Sequence, residues 1–131
     1  MADTQRPLSP HLQIYKWQVQ MVTSILHRAT GIALAVGTLV VLWALLALAS
    51  GDAAFAQFKT CMGSPIGLVL LFGWTWALFF HLCNGIRHLL QDAGMGYQIA
   101  QFVRSSWSSV IVSILLTVAV WGYVLTAGGA A

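Results

Sequence analysis

Residues 66–90 read IGLVLLFGWTWALFFHLCNGIRHLL, an apolar run that closes on His81, Asn84, Gly85, Arg87 and His88. Its length suits a membrane span, which needs about 20 helical residues in the hydrocarbon. The run is continuously apolar rather than alternating, and lipid forces a backbone to satisfy its own hydrogen bonds, so a helix is expected and a β-barrel strand is not. Ionisable side chains at such depth cost about 2.5–3.5 kcal/mol each on insertion scales, and they usually face a partner, a cofactor or a cavity. His81, Gly85 and His88 follow an i, i+4, i+7 spacing and share one helical face. That face offers a ligand, a gap and a second polar group.

Two further runs qualify as spans, residues 22–49 and residues 108–127. The chain has 131 residues, 59% of them hydrophobic and 7% charged, which excludes an ordinary soluble domain. The expected fold is an all-α membrane protein: a polar arm at 1–21, then a three-helix unit at 22–131. Ala29, Ala33 and Gly37 recur every four residues and suggest a stripe for close helix packing. Ser64-Pro65 predicts the cap and first turn of the second span, and Gly94 and Gly96 suit its end. The third span carries no ionisable side chain beyond Arg104 and is assigned to packing. Cys61 and Cys83 lack metal-ligand spacing, no Cys-x-x-Cys-His offers covalent haem attachment, and Cys83 reads as a small packed side chain.

Basic residues set the expected orientation. Arg6, Lys16, Arg28, Arg87 and Arg104 fall on one side of this topology and Lys59 alone on the other, which puts the N-terminus in the cytoplasm. The formal charge of +3 is small and its carriers are dispersed, against a nucleic-acid partner. The first twenty residues hold Asp3, two prolines and several glutamines instead of the apolar core of a removable signal. A multi-pass protein of a bacterial cytoplasmic (inner) membrane is therefore expected. Tyr15, Lys16 and Trp17 suit the headgroup level, with lipid around the spans.

Two clusters carry chemistry. A b-type haem needs one or two neutral imidazoles on iron and a small residue beside them, and His81 with Gly85 meets that need. A buried histidine bonded to a neighbouring helix, or a proton-pathway role, fits the same spacing. His88 cannot be the second ligand of the same iron, because seven residues displace it by about 10 Å along the same face. His27 is expected level with His88 rather than with the deeper His81, so a second axial ligand would come from another chain. The other cluster is Ser24-Ile25-Leu26-His27-Arg28, in which Ser24 and Arg28 share a face. A hydroxyl and a permanent cation there can hold a quinone carbonyl and the negative charge that develops on reduction. From the spacing alone, a snorkelling arginine beside a serine bonded to its own helix is the more economical reading.

Taken together, the sequence resembles the cytochrome b membrane-anchor subunits of succinate dehydrogenase, the respiratory succinate:quinone oxidoreductase. The resemblance rests on Arg6-Pro7-Leu8-Ser9-Pro10-His11-Leu12 with Ile14-Tyr15, on Ser24 through Gly31, and on His81 through His88 with Asp92, in that order. It implies a complex with a flavoprotein subunit, an iron-sulfur subunit and a second membrane anchor packed with this chain around haem b. It implies His81 as the haem axial ligand, with the opposite histidine on the second anchor, and His27, Arg28, Gly85 and His88 as haem contacts. It implies ubiquinone reduction at Ser24 and Arg28, with Ile25 and Trp17 lining the pocket. Gln20 stands where many such relatives have proline. The rival readings are an anchor of fumarate reductase or another quinone-linked cytochrome b, a small transporter or proton channel, and a purely structural assembly subunit.

Overall fold

The computed structural model describes residues 10–127, so residues 1–9 of the arm expected at 1–21 and the tail from Gly128 lie outside the described residues. Within them the chain forms α1 (His11–Ile14), α2 (Val19–Ser50), α3 (Asp52–Met62), α4 (Pro65–Asp92) and α5 (Ile99–Ala127). Helices α2, α4 and α5 are the three long, apolar candidate spans. The 32 residues of α2 run about 48 Å, longer than a hydrocarbon core of about 30 Å, so its ends reach the interfaces.

Local chemistry sets the breaks. Gly51 takes φ 111°, a left-handed turn that separates α2 from α3. Ser64 Oγ accepts the Gly67 amide at 3.1 Å and Pro65 occupies the first turn of α4, as the Ser-Pro pair predicts. After α4, Gly94 and Gly96 adopt φ 83° and 78° and turn the chain toward α5.

Two elements differ from the sequence reading. The first loop is largely helical: α3 carries Asp52 in its first turn and Lys59 in its last, both favourable to its dipole. It lays Phe58 edge-on against Trp43 of α2 at 4.9 Å. Helix α5 begins at Ile99, well before residue 108, because the helix continues through the polar stretch around Gln101 and Arg104 beyond the apolar run.

Helix α4 is central and packs on both α2 and α5. Its interior contacts are small or polar. Among the described residues Thr23, Thr30, Asn84, Arg87, Gln91, Ser106, Ser109, Ser113 and Thr117 are buried, against only Ala47, Ala77 and Phe80 among apolar side chains. Ile32, Leu39, Val69 and Leu115 are each more than half exposed. This inversion suits lipid, where apolar side chains gain little by burial and small or hydroxyl side chains let helices approach. On α5 the hydroxyls of Ser106, Ser109, Ser113 and Thr117 bond carbonyls of their own helix, which satisfies them without a partner.

The expected Ala29-Ala33-Gly37 stripe is corrected. Ala29 and Ala33 are exposed, and only Gly37 faces another helix, where any Cβ would overlap the Trp74 ring. The packed positions on α2 are instead Thr23, Thr30 and Gly37, seven apart. A seven-residue step drifts only about 20° around a helix, whereas a four-residue step turns away twice as fast.

Candidate functional site

The α2–α4 contact brings three histidines together. His81 and His88 project from α4 as their spacing requires, and His27 meets them from α2. The His27 and His81 rings stack with centroids 3.9 Å apart and planes at 10°. His88 lies 5.2 Å from His27 at 50°. A Cβ on Gly85 would stand 3.8 Å from His27 Cε1, so the His27 ring lies over the bare backbone of Gly85. The expected depth of His27 is thereby corrected: it sits between His81 and His88 and stacks on the former.

His81 is held at one ring nitrogen. Nδ1 lies 3.1 Å from the His27 carbonyl oxygen and 3.3 Å from Thr30 Oγ1. No hydrogen bond engages its Nε2 among the described residues. Gly31 makes the approach possible, since a Cβ there would stand 3.1 Å from His81 Cε1. Thr30 and Gly31 carry this contact, yet spacing within one helix does not single them out, because the contact depends on how two helices are rotated against each other.

Rings stacked face to face hold their nitrogen lone pairs in two nearly parallel planes, whereas two ligands on opposite sides of one metal must point at each other. His27 and His81 in this arrangement are therefore not a pair of axial ligands. No group of three or more His, Cys, Asp or Glu side chains among the described residues could hold a metal ion. The site offers uncommitted imidazole nitrogens, His81 Nε2 and His27 Nδ1 among them, not a protein-only metal centre.

Ser24 and Arg28 lie at the N-terminal end of α2, on the same end of the bundle as His88. Ser24 is half-buried and Arg28 exposed, with Arg28 Nε donating to the Ser24 carbonyl at 3.4 Å. Among the hydrogen bonds formed between described residues, Ser24 is the only serine or threonine whose hydroxyl takes no part; Thr23, Thr30 and Thr38 on the same helix all bond back to carbonyls. The reading of a serine bonded to its own helix is thus not what these contacts show. Ile25 is exposed beside them, and Trp17 precedes α2, exposed and edge-on to Tyr15 at 5.5 Å.

Arg87 points elsewhere. It is buried toward α5, donates from Nε to Asn84 Oδ1 at 3.0 Å, and sets its guanidinium carbon 5.1 Å from the Phe102 ring centroid. Its NH1 has no hydrogen-bond partner, and neither do Asn84 Nδ2 and Gln91 Nε2. Cys83 is half-buried and Cys61 exposed, both as free thiols.

The family described as succinate dehydrogenase/fumarate reductase transmembrane subunit matches residues 2–120. The chain belongs to this family. Among its relatives, the succinate dehydrogenase cytochrome b556 subunit of Rickettsia felis is 45% identical over 116 residues, covering 88% of this chain and 90% of its own length. The subunit of the same name from Paracoccus denitrificans is 42% identical over 121 residues, or 90% and 93% of the two chains. The mitochondrial cytochrome b560 subunit of Sus scrofa is 41% identical over 115 residues, covering 86% of this chain and 68% of that protein. The match covers α2 and α4 and reaches into α5, so this family member is a multi-pass membrane subunit of the succinate dehydrogenase cytochrome b type.

Proposed function

We propose that the chain is the haem-b-binding membrane anchor of a succinate dehydrogenase in a bacterial cytoplasmic membrane, and that it forms part of the site where ubiquinone is reduced. The observation that carries this reading is His81, tied at Nδ1 to the carbonyl of His27 with Nε2 left uncommitted. Ligating histidines nearly always donate their other ring N–H to a carbonyl, carboxylate or water, which fixes the tautomer that presents a lone pair to the metal. His81 would hold the iron through Nε2. Bound there, haem b supplies a one-electron carrier. A second ligand, where one is needed, would come from another chain such as a second anchor subunit, since His27 stacks on His81 rather than facing it.

His27, His88 and Arg28 supply donors and positive charge for the haem propionates, and Gly85 keeps the face of α4 low beside them. Charge-assisted hydrogen bonds of this kind are about twice as strong as neutral ones. Ser24 donates its free hydroxyl to a quinone oxygen. Arg28 places a permanent cation where negative charge develops on reduction, and Ile25 and Trp17 give the ring apolar walls. Electrons arrive from an iron-sulfur subunit fed by a flavoprotein subunit, so succinate oxidation lies outside this chain. Lys16, Arg28, Arg87 and Arg104 gather toward one end of the bundle and Lys59 toward the other, which supports a cytoplasmic N-terminus.

The test is a reduced-minus-oxidised optical spectrum of the purified membrane complex, wild type beside His81→Ala. The haem b band is expected to vanish in the variant while the partner subunits remain associated. A band that survives unchanged overturns the ligand assignment.

A further inference from the structure

The groups around His81 Nδ1 determine more than its position. Thr30 is 5% exposed, and its Oγ1 lies 2.7 Å from the Leu26 carbonyl and 3.0 Å from the His27 carbonyl. A hydroxyl has one proton to give, and the shorter contact takes it to Leu26. An Oγ1 lone pair then remains for the His81 ring, 3.3 Å away. The second neighbour, the His27 carbonyl at 3.1 Å, accepts only. With two acceptors around it, Nδ1 carries the proton, and the neutral ring turns its lone pair to Nε2. The other tautomer would set lone pair against lone pair. Gly31 completes the cradle from the same turn, since a Cβ would stand 3.1 Å from His81 Cε1 and force the ring or the helix to shift.

We propose that Thr30 is a positioning residue for the haem ligand, acting through His81: with the His27 carbonyl and the bare backbone of Gly31 it fixes the tautomer and rotation of the ring and tunes its strength as a donor. The inference rests on the reading of His81 as axial ligand. Acceptors that draw on the far N–H make an imidazole more basic at its ligating nitrogen. A more basic ligand favours the oxidised iron, so the Thr30 oxygen holds the midpoint potential down.

The experiment uses the whole complex in native membranes, with Thr30→Val, Thr30→Ser, Gly31→Ala, His81→Ala and, as a control, Thr38→Val. Thr38 is exposed and bonds only Ala35 of its own helix. Redox titration of the haem b band is expected to place Thr30→Val at a more positive potential, approaching the ~59 mV that a tenfold change represents in a one-electron couple. Thr30→Ser and Thr38→Val are expected to titrate as wild type. Gly31→Ala is expected to change the low-spin electron paramagnetic resonance signal, which reports ring orientation. Should Thr30→Val lose haem outright, recovery in Thr30→Ser supports the hydroxyl's role, and loss in both sinks it. An unchanged or more negative potential in Thr30→Val, with haem lost in His81→Ala, overturns the cradle alone. Haem retained in His81→Ala overturns the reading beneath it.

Discussion

The imidazoles of His27 and His81 lie face to face, with centroids 3.9 Å apart and planes 10° from parallel. That relationship joins α2 and α4 where the His81 ring, the small residues Gly31 and Gly85 and the His27 carbonyl come together. It also divides the work between the histidines. His81 spends its Nδ1 on the α2 backbone, whereas His27 Nδ1 is buried without a partner. A buried orphan nitrogen costs about 1–3 kcal/mol unless something outside the chain meets it, and the stacking of His27 on His81 keeps the two rings from facing each other across one metal.

His27→Ala is therefore expected to keep the haem b band, while His81→Ala loses it. The same difference spectrum measures both. Equal loss in the two variants would mean that this chain supplies more than one ligand, and the sister-chain assignment would be withdrawn.

Ser24→Ala should depress ubiquinone reduction by about 10- to 100-fold, the range of a hydrogen bond to a group gaining charge. Succinate oxidation by a soluble artificial acceptor should be unaffected, because that reaction bypasses the anchors. Parallel assays on one preparation decide the matter, and a loss of both activities would count against a quinone contact.

Gly37 and Trp74 make a steric prediction independent of any cofactor. A Cβ on Gly37 would overlap the indole, so Gly37→Val should destabilise the α2–α4 contact by about 1–3 kcal/mol, as overpacking does. Pairing it with Trp74→Ala, which empties the space, should recover most of the loss. Thermal dissociation of the complex is the measurement, and additive losses in the double variant would show that the two sites do not touch.

The parts of this molecule legible in its sequence are those a single helix determines. Uninterrupted apolar runs mark α2, α4 and α5, and the Ser64-Pro65 pair marks where α4 begins. His81 and His88 share a face because their spacing demands it. What escaped depends on two helices at once. The His27 ring reaches between its neighbours on α4, and depth counted along an axis does not register how far a ring extends sideways. Thr30 and Gly31 matter through the rotation of α2 against α4. The helical loop α3 escaped for a different reason: its eleven residues mix Asp52, Lys59 and two phenylalanines, with no long apolar run to announce it.

Arg87 provides the last test, on stability. Its guanidinium bonds Asn84, lies over Phe102 and is otherwise enclosed by the α4–α5 contact, so the side chain acts as both donor and filler. Arg87→Ala removes both roles, leaving Asn84 without its partner and a void beneath Phe102, and should cost about 2–5 kcal/mol. Arg87→Met keeps most of the volume and removes a buried charge whose NH1 has no partner, so it should be far milder. The comparison is made by following melting of the complex for the two variants under one detergent condition. If Met is as damaging as Ala, the charge itself must be required, and a counter-anion from a neighbouring subunit becomes the explanation to pursue.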